Sequence, residues 1–151
     1  MRKTDATKGV TRSDLVWLCL AIDYVGKRLC SGEATSKDYI SIVELGGCDD
    51  CILKHQPMDW LLYNQIIDFL RSRHPIGHGC YLPAIDKAHE LLSANKSGKC
   101  ALQLLFLTDG VPSDDMGAQD RCKHLICNRI ASLSCRFGSR LTVGGFAVGV
   151  G

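Results

Sequence analysis

The chain has 151 residues, enough for one domain of ordinary size, with 46% hydrophobic residues, 23% charged residues and a formal net charge of +2. A charge this close to neutral, without a Lys/Arg block or a basic stripe interleaved with aromatic residues, argues against a nucleic-acid surface. No stretch approaches the roughly 18 apolar residues of a membrane span, and no apolar segment follows the polar residues 1–10, as a signal peptide would require. We therefore predict a globular protein of the cytoplasm that binds neither nucleic acid nor membranes.

The first predicted helix begins at Thr11, which is followed three positions later by Asp14, as in a capping box. Ser31 and Gly32 are predicted to end this helix, because glycine commonly follows the last helical turn. The residues predicted to face the core recur at helical spacing: Leu15, Leu18, Cys19, Ile22, Val25 and Leu29.

Two short strands are predicted next. Residues 39–45 are rich in β-forming side chains, and residues 51–54 continue in the same way after a turn that contains glycine and aspartate. A turn of this composition between two such segments favours a hairpin.

Two helices follow the hairpin. Asp59 is predicted to cap a helix over residues 60–72. The residues of this helix predicted to face the core are Leu62, Ile66, Phe69 and Leu70. After a loop with two glycines, Pro83 lies where the first turn of a helix tolerates it, and this third helix is predicted to continue to Leu92.

A nearly uninterrupted apolar stretch, residues 101–108, predicts a strand covered on both faces, as in a parallel sheet between helices. A helix over residues 115–132 and a last strand from residue 141 complete the order α-β-β-α-α-β-α-β. The residues of that helix predicted to face the core are Ala118, Cys122, Leu125, Ile126 and Ile130. The order predicts a three-layer, doubly wound α/β fold with a mostly parallel sheet and helices on both faces. Ligands bind such sheets at the carboxyl ends of the strands, where Asp109 lies.

Nine cysteines at irregular spacing, several within apolar patterns, predict reduced thiols that are mostly buried as small hydrophobic side chains. Cys122 and Cys127 are five positions apart and therefore lie on different faces of their helix, which favours packing over ligation. A zinc site is the weaker alternative. Its ligands would come from Cys48, Cys51, His55, His74, His78 and Cys80. No second Cys-x-x-Cys matches the first, and the first lies on a predicted turn.

The stretch LLFLTDGVPSD, residues 104–114, resembles the fourth-strand motif of von Willebrand factor type A domains, in which an apolar strand ends in Thr-Asp-Gly or Ser-Asp-Gly. The order of elements over residues 11–151 resembles that of the family as well, and residues 1–10 form a polar segment before it. The resemblance implies the doubly wound fold of the family and a role in binding a protein partner. The partner-binding loops that it implies contain Gly77, Gly79, Cys80, Asp109 and Gly110.

The resemblance also implies a metal-ion-dependent adhesion site for Mg²⁺ or a similar cation. Three loops of the family supply oxygen ligands: an Asp-x-Ser-x-Ser, a Thr in a Gly-rich loop and the Asp of the Thr-Asp-Gly turn. Asp109 matches the last of these, but Gly79 occupies the position of the Thr and, like Cys80 beside it, has no hard side-chain oxygen. The Asp-x-Ser-x-Ser is missing. We therefore expect a fragment without the first strand and the carboxyl-terminal end of the domain, with Mg²⁺ in the intact parent and none in this chain.

Some of these residues have a second interpretation. An Asp-Gly pair after a strand is also a common turn, which would make Asp109 structural. Ser113, Asp120 and His124 are near one another in sequence only, so no catalytic set is predicted and the chain is not expected to be an enzyme. Asp114 and its acidic neighbours are predicted to favour the amino terminus of the helix that follows them.

The function predicted from the sequence is protein–protein interaction, with a cation site that is incomplete here. Two further functions fit the same pattern: a metal-free, degenerate scaffold, or a regulatory fragment of a larger intracellular enzyme such as a ubiquitin ligase or a kinase. Fold alone does not separate these three functions.

Overall fold

The computed structural model describes residues 11–45, 51–73, 79–94, 98–108, 114 and 119–147. The helices are α1 (Arg12–Leu18), a π-helix (Cys19–Gly26), α2 (Lys27–Ser31), α3 (Trp60–Ser72), α4 (Tyr81–Ala94), α5 (Gln119–Phe137) and a 3₁₀-helix (Gly138–Arg140). The strands are β1 (Tyr39–Val43), β2 (Cys51–Pro57), β3 (Leu102–Thr108) and β4 (Leu141–Ala147). Within these residues, no helix combines the length and the apolar character that a bilayer crossing requires.

The strands confirm a mixed α/β fold and a parallel strand pair, but they form two separate sheets among the described residues. One sheet contains β1 and β2, and the other contains β3 and β4. The second pair is parallel, in a register that runs from Leu102 opposite Leu141 to Thr108 opposite Ala147. The chain also divides into two compact units. The described residues of the first are 11–42 and 53–73, and the second contains the rest.

In the first unit, α1, the π-helix and α2 follow one another without a break from Arg12 to Ser31. The predicted capping box is confirmed, because the Thr11 N–H donates to the Asp14 carboxylate at 2.7 Å and the Thr11 hydroxyl accepts from the Asp14 N–H at 3.1 Å. The predicted end is confirmed too. Gly32 has φ 73°, a left-handed conformation that glycine adopts at little cost.

The π-helix changes which side of this segment is buried. The buried residues are Ser13, Trp17, Ala21, Val25 and Gly26. The prediction that Leu15, Cys19 and Ile22 face the core is wrong, since Ile22 is 52% exposed and the other two are also exposed. A spacing of four residues slightly exceeds one α-helical turn and falls short of one wider π-turn, so residues 13, 17, 21 and 25 remain on one side across the junction.

Helix α3 completes the core of the first unit and agrees with its prediction. The Asp59 carboxylate accepts a hydrogen bond from the Leu62 N–H at 2.9 Å, as a helix cap should. Leu62 and Ile66 are fully buried. The ring of Phe69 packs against the ring of Trp17 with 5.6 Å between centroids, which joins α3 to α1.

In the second unit, α4 and α5 cover one face of the β3–β4 pair. Tyr81, Ile85 and Leu133 form the buried centre, and Leu104 and Phe106 of β3 pack against it. Because side chains alternate along a strand, Leu105 and Leu107 lie on the opposite face. The residues of β3 after Leu102 are at most half-buried, so the prediction that this strand is covered on both faces stays a prediction.

Helix α5 presents a stripe different from the one predicted. Cys122 and Leu133 are 2% exposed, whereas Leu125, predicted to face the core, is 44% exposed. Ile126 and Ile130 do pack against the buried centre. The inward positions follow spacings of three and four residues from Cys122 to Phe137, and Leu125 falls beside this stripe. Ala118 lies outside the described residues.

The prediction that the cysteines are mostly buried is wrong for the described residues. Cys122 is buried, whereas Cys51 and Cys80 are half-buried. The exposed ones are Cys19, Cys30, Cys100, Cys127 and Cys135. The prediction that Cys122 and Cys127 lie on different faces of one helix is confirmed.

Candidate functional site

The sequence directs attention to the carboxyl end of β3 and the start of α4. Of the residues expected there, Gly77, Asp109 and Gly110 lie outside the described residues. Gly79 and the half-buried Cys80 directly precede α4. A side chain added at Gly79 would meet the Leu45 carbonyl oxygen at 3.6 Å, an ordinary contact, so this position does not require a glycine for space.

Asp114 binds the first turn of α4. One carboxylate oxygen accepts a hydrogen bond from the Tyr81 N–H at 2.8 Å, and the other accepts from the Leu82 N–H at 2.7 Å. The thiol of buried Cys122, on α5, donates to the same carboxylate at 3.6 Å. These N–H groups have no partner within the helix, and a negative charge at a helix amino terminus is favourable. Asp114 itself therefore contacts both α4 and α5.

Tyr81 and Thr108 form a second connection beside the first. The Tyr81 hydroxyl and the Thr108 hydroxyl share a hydrogen bond between the start of α4 and the last residue of β3. Tyr81 is buried, and a buried phenol needs such a partner. The end of β3 and the first turn of α4 are thus held together by side chains on both.

The sequence pattern assigns Asp114 to the wrong helix. It predicts that Asp114 favours the amino terminus of the helix after it, but Asp114 caps α4, which begins 33 residues earlier. Local spacing cannot reveal a cap of this kind, because only the tertiary fold brings the two segments together. The one signal in the sequence is an acidic residue just after an apolar strand.

The described residues at this edge supply few ligands for a divalent cation. Mg²⁺ takes oxygen ligands in an octahedron, yet Gly79 and Cys80 offer no side-chain oxygen, and the Asp114 carboxylate already accepts two N–H groups and a thiol. Among the described residues, no group of three or more His, Cys, Asp or Glu could hold a metal. The ligand role predicted for Asp109 stays a prediction.

Neither a zinc site nor a catalytic set gains support from the described geometry. His55 stacks on the ring of Tyr39 with 4.1 Å between centroids, and Cys48, His74 and His78, its predicted co-ligands for zinc, lie outside the described residues. His124 is exposed on α5, while Ser113 and the side chain of Asp120 also lie outside what is described.

Comparison of the chain with models of protein families, with characterised proteins and with solved structures found no match. The resemblance to von Willebrand factor type A domains therefore remains a prediction from the sequence. What the geometry itself provides is a carboxyl edge at which one carboxylate and one phenol are bound by the protein's own groups.

Proposed function

We propose that the chain is a protein-interaction module similar to a von Willebrand factor type A domain, with its partner bound at the carboxyl edge of the β3–β4 pair. The three-layer, doubly wound arrangement belongs to this proposal. The observation that carries it is the parallel pairing of β3 with β4 across α5, with Thr108 at the end of β3 directly before Asp109 and Gly110. Sheets connected in this way bind ligands at the carboxyl ends of their strands.

An exposed aromatic side chain supports a protein partner at this edge. Phe146, one residue from the end of β4, is 56% exposed and lies opposite Leu107. Both are on the face of the pair away from α4 and α5, by alternation from Phe106. Leu107 is half-buried, so Phe146 is the exposed side chain of the two, and aromatic residues are typical anchors of protein interfaces.

The partner would be bound by this chain without a divalent cation. The lack of side-chain oxygens at Gly79 and Cys80 supports this, as do the hydrogen bonds that the Asp114 carboxylate already accepts. A cation near Asp109 belongs to the proposal only for a parent protein that supplies further oxygen ligands. The same observations favour the second candidate, a metal-free scaffold that positions other segments rather than binding a partner itself.

The test is proximity labelling in cells with the full chain and two variants that each remove one exposed apolar side chain, Phe146→Ser and Leu125→Ser. We expect Phe146→Ser to lose a set of labelled proteins that the wild type and Leu125→Ser both retain, and thermal unfolding to show that all three are folded. The proteins that depend on Phe146 for labelling should then bind the purified wild-type chain equally well in Mg²⁺ and in chelator. The same labelled set for all three proteins would favour the scaffold, and loss of the set in chelator would show that the cation is needed.

A further inference from the structure

A cleft in the first unit combines aromatic rings with a carboxylate. It has a volume of about 400 Å³ and lies between the π-helix and the start of α3. Its lining residues are Ile22, Asp23, Gly26, Lys27, Cys30, Trp60 and Tyr63. The helical ones recur at spacings of three and four residues, so they form one face of the π-helix and α2.

Two large side chains that line the cleft are exposed to solvent. Trp60 is 54% exposed and Ile22 is 52% exposed, and both line it. The rings of Trp60 and Tyr63 stand nearly perpendicular, at 70° with 5.5 Å between centroids. Isolated exposed apolar residues are the normal case, whereas these two lie at one concave site.

Gly26 lets the aromatic wall approach the π-helix. A Cβ at this position would lie 3.1 Å from Cε2 of Tyr63 and 3.0 Å from the carbonyl oxygen of Ala21, both too close for comfortable packing. The missing side chain therefore sets the depth of the cleft next to Tyr63. The π-helix itself is eight residues long, and π-turns of any length are rare and are frequent at functional sites.

The residues that line the cleft favour a ligand with a positive charge and an alkyl stem. The faces of Trp and Tyr rings attract cations, and Asp23 adds an exposed carboxylate to the same lining. Ile22 offers an apolar surface for an alkyl stem. Lys27 lies on the same lining and would repel a cation, so it should weaken binding that the other residues favour.

We propose that this cleft binds a lysine-type side chain of a partner protein, with its alkyl stem on Ile22 and its ammonium group against the exposed Trp60 ring and near Asp23. The proposal is independent of the carboxyl edge of β3 and would stand if Phe146 bound nothing. A methylated ammonium would bind more tightly than an unmodified one, because it loses less hydration when it contacts the rings.

The probes are N-acetyl-trimethyllysine methylamide and its neutral analogue, in which a tert-butyl group replaces the trimethylammonium. They are titrated into the full chain and followed by NMR at the two indole N–H signals. We expect the cationic probe to shift the Trp60 signal and to bind about two- to fivefold more tightly than the neutral one, as a cation–π contribution at an exposed site predicts. The Trp17 signal should not move, because Trp17 is buried against Phe69.

Four single substitutions then test the assigned roles. Trp60→Ala should lower the affinity for the cationic probe at least about fivefold, and Asp23→Asn should lower it about two- to fivefold. Lys27→Gln should raise it by a similar factor, which no neutral or anionic ligand would produce. Leu61→Ala is the matched control, since Leu61 is 66% exposed on α3 and does not line the cleft. Equal affinity for both probes, an unmoved Trp60 signal or weaker binding by Lys27→Gln would each overturn the proposal, even if Trp60→Ala fails to fold.

Discussion

Asp114 and Asp23 illustrate two different uses of a carboxylate in one chain. Asp114 is half-buried and accepts hydrogen bonds from two backbone N–H groups and a thiol, so its charge is committed to the fold. Asp23 is exposed beside a concave aromatic surface. Its hydrogen bond comes from the thiol of exposed Cys19, which is a weak donor. A carboxylate bound by two backbone N–H groups contributes to stability, whereas one that faces solvent beside exposed rings can still accept from a ligand.

The largest change in the free energy of unfolding should come from a substitution in the core of the second unit, which also contains Asp114. Leu133→Ala removes a side chain that is 2% exposed and packs with Tyr81 and Ile85, so we expect it to lower the free energy of unfolding by about 2–5 kcal/mol. Leu125→Ala, on the same helix, is the control, with an expected cost below about 1 kcal/mol. Urea unfolding measures both. Equal costs would mean that Leu133 does not lie on the inward face of α5. The packing of α5 against the β3–β4 pair would then be wrong as well.

Removal of the two carboxylates should change the free energy of unfolding by different amounts. Asp114→Ala leaves two N–H groups at the start of α4 without their partner, at a cost of about 2–3 kcal/mol. Asp23→Ala should change the free energy of unfolding by no more than about 0.5 kcal/mol, because its carboxylate is exposed.

Hydrogen exchange gives a local check on the Asp114 substitution. The amides of Tyr81 and Leu82 should exchange faster in Asp114→Ala than in the wild type. If both substitutions have the same small cost and these two amides keep their protection, the contrast between the carboxylates is wrong.

Local chemistry made much of the fold predictable. Thr11 with Asp14, Asp59 with Leu62, and Gly32 are caps whose partners lie within a few residues, and the structure places each where its pattern indicates. Strand β3 also lies where the sequence predicts it, because an apolar run of this length indicates a strand without information from distant residues.

The errors occur where distant segments decide the outcome. The buried side of the π-helix contains Ala21 rather than Ile22, because its wider turns depart from the α-helical spacing on which the prediction was based. Asp114 caps a helix 33 residues before it, which no local pattern encodes. The cleft combines side chains from residues 22–30 with Trp60 and Tyr63. Because these segments are about 30 residues apart, no sequence motif contains both the acidic and the aromatic groups.

The smallest expected effect concerns the thiol next to Asp23. Partial burial, followed by the charge of Asp23 and its hydrogen bond to the thiol, raises the pKa of Cys19 above its usual value. A raised pKa means less thiolate at pH 8, and the thiolate is the species that iodoacetamide attacks. Asp23→Asn removes the charge, so the pKa should fall and Cys19 should be alkylated faster, by about two- to fivefold, because the lower basicity of the thiolate partly offsets its greater abundance.

Peptide-resolved mass spectrometry at pH 8 measures this rate, with Cys135 on α5 as the internal control whose rate should not change. The difference should shrink as the pH rises through the pKa of the wild-type thiol, since both proteins then carry thiolate at Cys19. An unchanged Cys19 rate at pH 8 would mean that the Asp23 carboxylate is directed away from the thiol. The position of the Asp23 carboxylate in the lining of the cleft would then have to be revised. The alkylation rate of Cys19 is therefore the most direct measure of where that charge lies.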